Sequence, residues 1–482
     1  MMLAAILVLP LLAAVLCWIP AIGKRAAAPL TLASSLVLLA LSGWVVHKVI
    51  ESGRVVAVSG WLEVDALGVL ILVLVTAVGV TASLFSLGYM PATTHNPAKL
   101  HHYYGNLNLF IFSMVGVPLL AVPSVTWLAV EFTTLLSVLL VGYESNREAL
   151  EAAWKYAMLT LTGAAIALFG FLVLFWAMQA AGGTNYTWNG LASLGGRMPP
   201  VLMRLAYLTI LVGFGTKVGL VPLHTWLPDA HSQAPTPVCA LLSGVETTAV
   251  LYVILRLMPI AHASLGIAAE QWALAFGLIS VGVAAFLLIQ VHDYKRLFAF
   301  STVEHMGIIL TAAGLGGAGA RYGAMYQILS HAFTKSFCFF AAGAVLMAFG
   351  TREIAAIRGL MRSAPVAGCA LLLGGLAIAG APPFAVFLGE FSILKAGVVQ
   401  GQYLAIGLLA VFLIIAFFGI LLHVNRMVFG QPAGDAILAA TPLPMSCNIA
   451  LLVAAAPVVL FGLYVPHSLY VLLSRAAALI GG

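Results

Sequence analysis

The residues KVGLVPLHTWLPDAH, Lys217 to His231, constrain this chain more than any other stretch. A lysine sits in an apolar run, Pro222 and Pro228 follow it, and Asp229, His231, Ser232 and Gln233 then form a polar cluster. Each proline lacks an N–H and clashes with the carbonyl one turn back, so a helix running through both would leave carbonyls unpartnered. In hydrocarbon, such backbone persists only when it is buried in protein or lines a wet cavity. A lysine at mid-bilayer costs roughly 2.5–3.5 kcal/mol on insertion scales and is as a rule paired and functional. The segment therefore predicts a broken helix with a charge at the break. The competing reading, a Lys217 that snorkels to a headgroup, is opposed by the apolar or small residues before it and by Pro222 after it.

That lipid is the solvent follows from composition: 63% of the 482 residues are hydrophobic and 7% are charged, against about 25% charged in ordinary globular chains. The length accommodates about fourteen spans of roughly 20 residues. They fall near 3–22, 28–50, 65–88, 104–122, 124–142, 154–180, 203–229, 236–258, 271–291, 297–315, 322–349, 364–399, 403–428 and 446–472. The expectation is an all-α polytopic membrane protein with no soluble domain left over. Any nucleotide site or redox cluster then belongs to other subunits.

The net charge of +6 is spread over loops with no Lys/Arg run, which fits topogenic charge and not nucleic-acid binding. Cys17, Cys239, Cys338, Cys369 and Cys447 are isolated, so they read as small core residues with no cluster or metal spacing. The first apolar run precedes Lys24 and Arg25, the reverse of a cleavable signal peptide, and is expected to remain as the first span. With the N-terminus outside, inner loops carry eleven Lys/Arg and outer loops seven, which predicts both termini on the outer side. The polar loop at 182–200 then lies outside, and its Asn185-Tyr186-Thr187 sequon is too short a match to assign a role.

The span at 364–399 repeats the first puzzle. It is too long for one straight span, is interrupted by Gly380-Ala381-Pro382-Pro383, and then carries Glu390. Two broken helices five spans apart point to an internally repeated transporter with its site at mid-membrane. Glu131 and Glu304 each lie about seven residues into spans five and ten. An odd offset of five spans inverts the second copy, which divides the chain into N-terminal helices (1–103), two five-helix halves (104–258 and 271–428) and a last helix (446–482).

Between the breaks lie Glu131, Lys217, Glu246, Glu304, His305, His331, Lys335 and Glu390, all within apolar runs. Burial disfavours the charged form of an acid or base, and an opposite charge nearby restores it, so the proton-holding group changes with small movements. A row of such groups is what a proton needs to cross roughly 30 Å of hydrocarbon. His331 and Lys335 are four residues apart and share one helix face, a spacing that suits a relay. Glu246 pairing with Lys217 to hold two helices together, and His331 as a satisfied core residue, are the bland alternatives. Metal binding fits less well, because only Glu304-His305 are close in sequence. Lys395, near the outer end of its span, reads as snorkelling. His224, Asp229, His231, His292, Asp293 and His423 read as solvated groups at inner span ends, able to feed the row. Glu144, Arg147, Glu148, Glu151 and Lys155 read as a solvated helix end or subunit contact.

The segments KVGLVPLHTWLPDAHSQAPTPVCALLSG, DYKRLFAFSTVEHMGI, HAFTKSFCFFAAG and GAPPFAVFLGEFSIL resemble the antiporter-like membrane subunits of respiratory complex I, Mrp-type cation/proton antiporters and membrane-bound hydrogenases, over about residues 60–430. Within that family HSQAPTP and EHMGI are most similar to the hydrogenase-4 and formate hydrogenlyase branch. The resemblance implies fourteen helices with two inverted five-helix repeats, no cofactor of its own, and proton translocation driven by a redox module in partner subunits. It implies Glu131 as the fifth-helix glutamate, Lys217 as the broken-helix lysine paired with it, Lys335 as the central lysine and Glu390 as the terminal group. Glu246 stands where many relatives have lysine or histidine, and Glu390 where some have lysine. Two rival functions remain at this point: a sodium/proton antiporter component, with carboxylates and hydroxyls as oxygen ligands, and a membrane anchor that moves no ions.

Overall fold

The computed structural model describes residues 2–431 and 442–481. Among them, eleven helices are long and apolar enough to cross a membrane, and Met2–Trp18 and Pro365–Ile378 are shorter apolar helices. The one sheet among the described residues is the antiparallel hairpin Arg54–Ala57 with Leu62–Asp65. Asp65 ends it by capping the Ala66–Thr93 helix, its carboxylate accepting from the Gly68 N–H at 3.0 Å.

Two expected boundaries move, both because of proline. The first helix ends at Trp18, and the next, Pro20–Ser52, begins well before residue 28, because Ile19 ahead of Pro20 is extended. The last expected span, 446–472, is two helices, Met445–Leu463 and His467–Leu479, separated at an extended Tyr464 with Pro466 before the second. The 182–200 loop carries a short helix, Trp188–Leu194, capped by the Thr187 hydroxyl.

Burial sorts the helices. The spanning part of Thr236–Leu265 is wholly buried and that of Tyr294–Leu315 nearly so, whereas only 33% of that of Tyr403–Phe429 and 28% of that of Met445–Leu463 is buried. A helix apolar all round belongs in the middle of a bundle or against lipid. The central pair, with Gly317–Phe349 packed against both, carries Glu246, Glu304, His305, His331 and Lys335.

Both proline-bearing segments are broken, and both breaks are built alike. Pro200–Val218 ends at Gly219, which is left-handed (φ 89°), and the Leu220 N–H reaches back to the Gly215 carbonyl at 2.8 Å. Pro365–Ile378 ends at Ala379, after which Gly380 has φ 76° and the Ala381 N–H reaches the Leu376 carbonyl at 3.0 Å. These are glycine-terminated helix ends in which the backbone satisfies its own last carbonyls. A proline three residues past each glycine, Pro222 or Pro383, prevents the helix from resuming at once. The chain then restarts as Trp226–Gln233 and Ala385–Val399. Pro228 lies in the first turn of its short helix, where a missing N–H is harmless, and Pro382 lies in the second gap. Groups freed at the breaks are recaptured by protein: the Val221 N–H donates to Ser280 Oγ at 3.1 Å, and the Trp226 indole donates to the Thr216 carbonyl at 2.8 Å.

Candidate functional site: a buried polar row

Lys217 lies two residues before the glycine of the first break, at the end of a helix packed among others, and is 2% exposed. Its ammonium donates to the Val130 carbonyl at 2.6 Å and to the hydroxyls of Thr133 and Thr134. Its carboxylate partner is Glu246, 3.3 Å away and 1% exposed. Of the two pairings the sequence offered for Lys217, the structure forms the one with Glu246, and the Glu131–Lys217 pair that the family resemblance implies is not formed. The Glu131 carboxylate oxygens are buried without a hydrogen-bond partner, and Glu246 supplies the counter-charge instead. The reason is rotational: Val130, Thr133 and Thr134 face the lysine on the Pro123–Val141 helix, while Glu246 comes to it from a different helix.

Glu246 is held as firmly as the lysine. Thr133 donates to its Oε1 at 2.9 Å, Tyr156 at 3.2 Å and Ser137 at 3.5 Å. It closes the π-helical turn Leu242–Glu246 within the Thr236–Leu265 helix; such turns occur mostly as single bulges, often at functional sites. At Gly244 in this turn, a Cβ would lie 2.9 Å from the Ala332 carbonyl, so glycine permits the close approach of the Gly317–Phe349 helix. On the same turn the Ser243 hydroxyl pairs with that of Thr302 at 2.6 Å.

Thr302 adjoins a second lysine cradle. Lys335, fully buried, donates to the Phe298 carbonyl at 2.5 Å and to the Ser301 hydroxyl. Both lysines thus rest on a carbonyl and on a hydroxyl three residues later, Val130 with Thr133 and Phe298 with Ser301. In that register Glu131 follows its carbonyl by one residue and Glu304 by six, so the two carboxylates stand differently relative to their cradles. Glu304 is 3% exposed, its Oε2 has no partner, and no carboxylate lies within ion-pair distance of Lys335 among the described residues.

Beyond Lys335 the row continues through imidazoles. The His305 ring lies 5.4 Å from that of His331. Gln327 donates to His305 Nδ1 at 2.9 Å, which leaves Nε2 to donate to the Ile378 carbonyl at 3.0 Å. That carbonyl belongs to the last residue of the helix before the second break. His331 shares a helix with Lys335, but neither of its ring nitrogens has a partner, so four-residue spacing alone does not create a direct relay. Glu390 is 8% exposed beyond the break, and a Cβ at Gly380 would strike its carboxylate.

Of the groups read as solvated span ends, His231 is the clearest correction. It is fully buried, its Nδ1 lies 2.8 Å from the Leu227 carbonyl, and its Nε2 has no partner. Asp229 pairs with Arg296 at 2.7 Å and Lys155 at 3.4 Å. Lys295 is buried against the carbonyls of Ser232 and Ala234 at the end of the short helix. Sequence reasoning missed Thr133, Thr134, Tyr156, Ser243, Ser301, Thr302, Gln327 and Lys295. Only Lys295 and Gln327, uncommon residue types in buried helices, carried a signal.

This geometry accompanies a family match over residues 124–422, described as NADH:quinone oxidoreductase/Mrp antiporter, TM. The match covers more than half of the chain, and the chain belongs to that family. It is an antiporter-like membrane protein of the type found in hydrogenase-4, Mrp and complex I-type assemblies. The hydrogenase-4 component F homolog of Methylacidiphilum infernorum is 37% identical over 412 residues, covering 84% of this chain and 85% of the relative. Hydrogenase-4 component B of Escherichia coli is 30% identical over 347 residues, 68% of this chain and 50% of the relative. A Na(+)/H(+) antiporter component of Alkalihalophilus pseudofirmus is 32% identical over 376 residues, 72% of this chain and 44% of the relative. The chain thus spans half or less of the latter two. A chain of the archaeal membrane-bound sulfane sulfur reductase, a respiratory membrane complex, shares the fold with a TM-score of 0.88 at 23% identity, covering 99% of this chain and 97% of that one. A chain of the Dietzia sp. Mrp complex does so with a TM-score of 0.86 at 20% identity, covering 99% and 97%.

Proposed function

We propose that this subunit conducts protons along its buried row within an energy-converting, hydrogenase-4-like membrane complex, with the redox chemistry in partner subunits. The observation that carries the reading is that the Ser243–Thr302 hydroxyl pair brings the Glu246–Lys217 pair and the Lys335 cradle together: Ser243 lies on the turn that ends at Glu246, and Thr302 shares the Phe298 carbonyl with Lys335. A buried ion pair whose parting leaves a lone charge favours proton release from the ammonium, because burial penalises a lone charge. Lys217 has two carboxylates to exchange between: Glu246, which it contacts, and Glu131, which has no partner. A partner protein that biases this choice moves a proton toward Lys335, Glu304, the His331–His305 pair and Glu390.

The two five-helix halves belong to this proposal. Helices 100–119, 123–141, 147–180 and the first broken helix match 268–289, 294–315, 317–349 and the second in order and approximate length, and the glycine-to-proline spacing recurs at both breaks. Fourteen spans, with both termini on the outer face as the Lys/Arg bias favours, complete the arrangement. Lys217→Ala tests it: assembly persists and redox-linked proton movement stops, whereas unchanged pumping refutes the role. Sodium/proton exchange is a second reading, favoured by the hydroxyls of Thr133, Ser137 and Tyr156 around the Glu246 carboxylate and by the antiporter relative. Sodium-dependent activity in vesicles would select it.

A further inference from the structure

Away from the row, a cavity of about 390 Å³ opens where the first two helices turn into one another, closed on its other side by Pro91, Pro97 and the start of the Leu100–Leu119 helix. Lys24, Arg25, His101 and Tyr104 line it, and no carboxylate does. Neither Lys24 nor Arg25 forms an ion pair among the described residues, although Lys48, Lys155 and Arg54 all do. Glu144, whose carboxylate accepts from the His95 N–H at 3.1 Å, lines a different cavity. Two cations and an imidazole thus line a space that has no carboxylate in its walls.

Depth and surroundings indicate the occupant. Trp18 packs on Gly105, where a Cβ would overlap its indole, and is 40% exposed. Half-exposed tryptophans mark the membrane–water interface. Leading away from the cavity, Leu12, Val15, Leu16, Ile19 and Ile22 form an exposed apolar surface along the first helix and its turn. A free anion would use the cations but not this surface. A phospholipid uses both, with its phosphate between Lys24 and Arg25 and its acyl chains along the first helix. Basic pockets between membrane helices bind lipid headgroups in this way.

We propose that the Lys24–Arg25–His101 cavity is a binding site for the phosphodiester of an anionic phospholipid. The test uses the purified membrane complex containing the full chain, delipidated and titrated with mixed micelles of phosphatidylglycerol and phosphatidylcholine, with retained lipid counted by native mass spectrometry. The wild type is expected to prefer phosphatidylglycerol by about thirtyfold more than Lys24→Gln/Arg25→Gln does, the scale of two cations near an anionic headgroup. Lys24→Arg/Arg25→Lys is expected to keep the preference. Rising sodium chloride should weaken the wild-type preference, a readout that holds whether or not the Gln variant assembles. Equal retention by the wild type and the Gln variant, loss in the charge-conserving variant, or a salt-independent preference would overturn the proposal. Millimolar inorganic phosphate displacing the lipid would assign the cavity to a free anion and overturn the lipid assignment.

Discussion

The pairing of Lys217 with Glu246 rather than Glu131 makes a quantitative prediction. At 3.3 Å the attraction is about 5 kcal/mol at an effective dielectric of about 20. Desolvation of both ions offsets much of it, but removing one partner leaves the other bare in a dry setting, at a cost of about 3–5 kcal/mol. Glu246→Leu strands the Lys217 ammonium, and Lys217→Met strands the Glu246 carboxylate together with the hydroxyls aimed at it. Each single variant is therefore expected to lose about 3–5 kcal/mol, and the double variant clearly less than the sum, with a coupling of about 1–3 kcal/mol. Reversible unfolding in mixed micelles of SDS and mild detergent measures all four corners of the cycle. A parallel cycle with Glu131→Leu is expected to give a smaller coupling, because its carboxylate meets no donor. A larger coupling of Lys217 to Glu131 than to Glu246 would refute the reasoning.

Three further outcomes follow from single contacts. Gly380→Ala should destabilise by about 1–2 kcal/mol through its left-handed backbone and should slow proton movement by displacing Glu390, whose carboxylate a Cβ would strike; thermal unfolding and a proton-flux assay read the two effects. Ser243→Ala removes the hydroxyl bridge to Thr302 and should cost only about 1 kcal/mol while reducing flux; a flux equal to wild type would remove the bridge from the pathway. At the end of the hairpin, burial alone would push the Asp65 carboxyl up, but the Arg256 guanidinium at 2.7 Å and the Gly68 N–H hold it below its ordinary value of 3.8. A depressed folded-state value adds stability above the ordinary value and loses it as pH falls through the folded one. Melting temperature should therefore drop below about pH 4, and Asp65→Asn should remove that part of the acid sensitivity.

Much of the architecture was legible because lipid punishes exceptions. Pro222 and Pro383 could not lie in continuous helix, and Lys217, Glu246 and Lys335 could not lie in hydrocarbon without partners, so their locations were fixed by cost alone. Both candidate partners of Lys217 were named from the sequence, but the choice between them was not legible. Whether Lys217 meets Glu131 or Glu246 depends on the rotation of two helices, which the sequence of neither helix encodes. The cradle hydroxyls were hidden for a different reason. Ser and Thr inside helices commonly bond their own carbonyls, as Thr160 does with Tyr156, so Thr133 and Ser301 look like ordinary helix residues until a lysine is placed over them. His231 was misjudged because polar neighbours in sequence suggested water, whereas the short helix after the break folds back into the bundle and buries it.

On the proposed mechanism, protons pass from one half of the row to the other through Lys335. The most direct measurement is redox-driven acidification in proteoliposomes holding the intact complex in sodium-free buffer, comparing the wild type with Lys335→Ala at equal assembly and equal electron transfer. Loss of acidification in the variant, with electron transfer still running, is the predicted result. Acidification at the wild-type rate without the lysine would contradict the account.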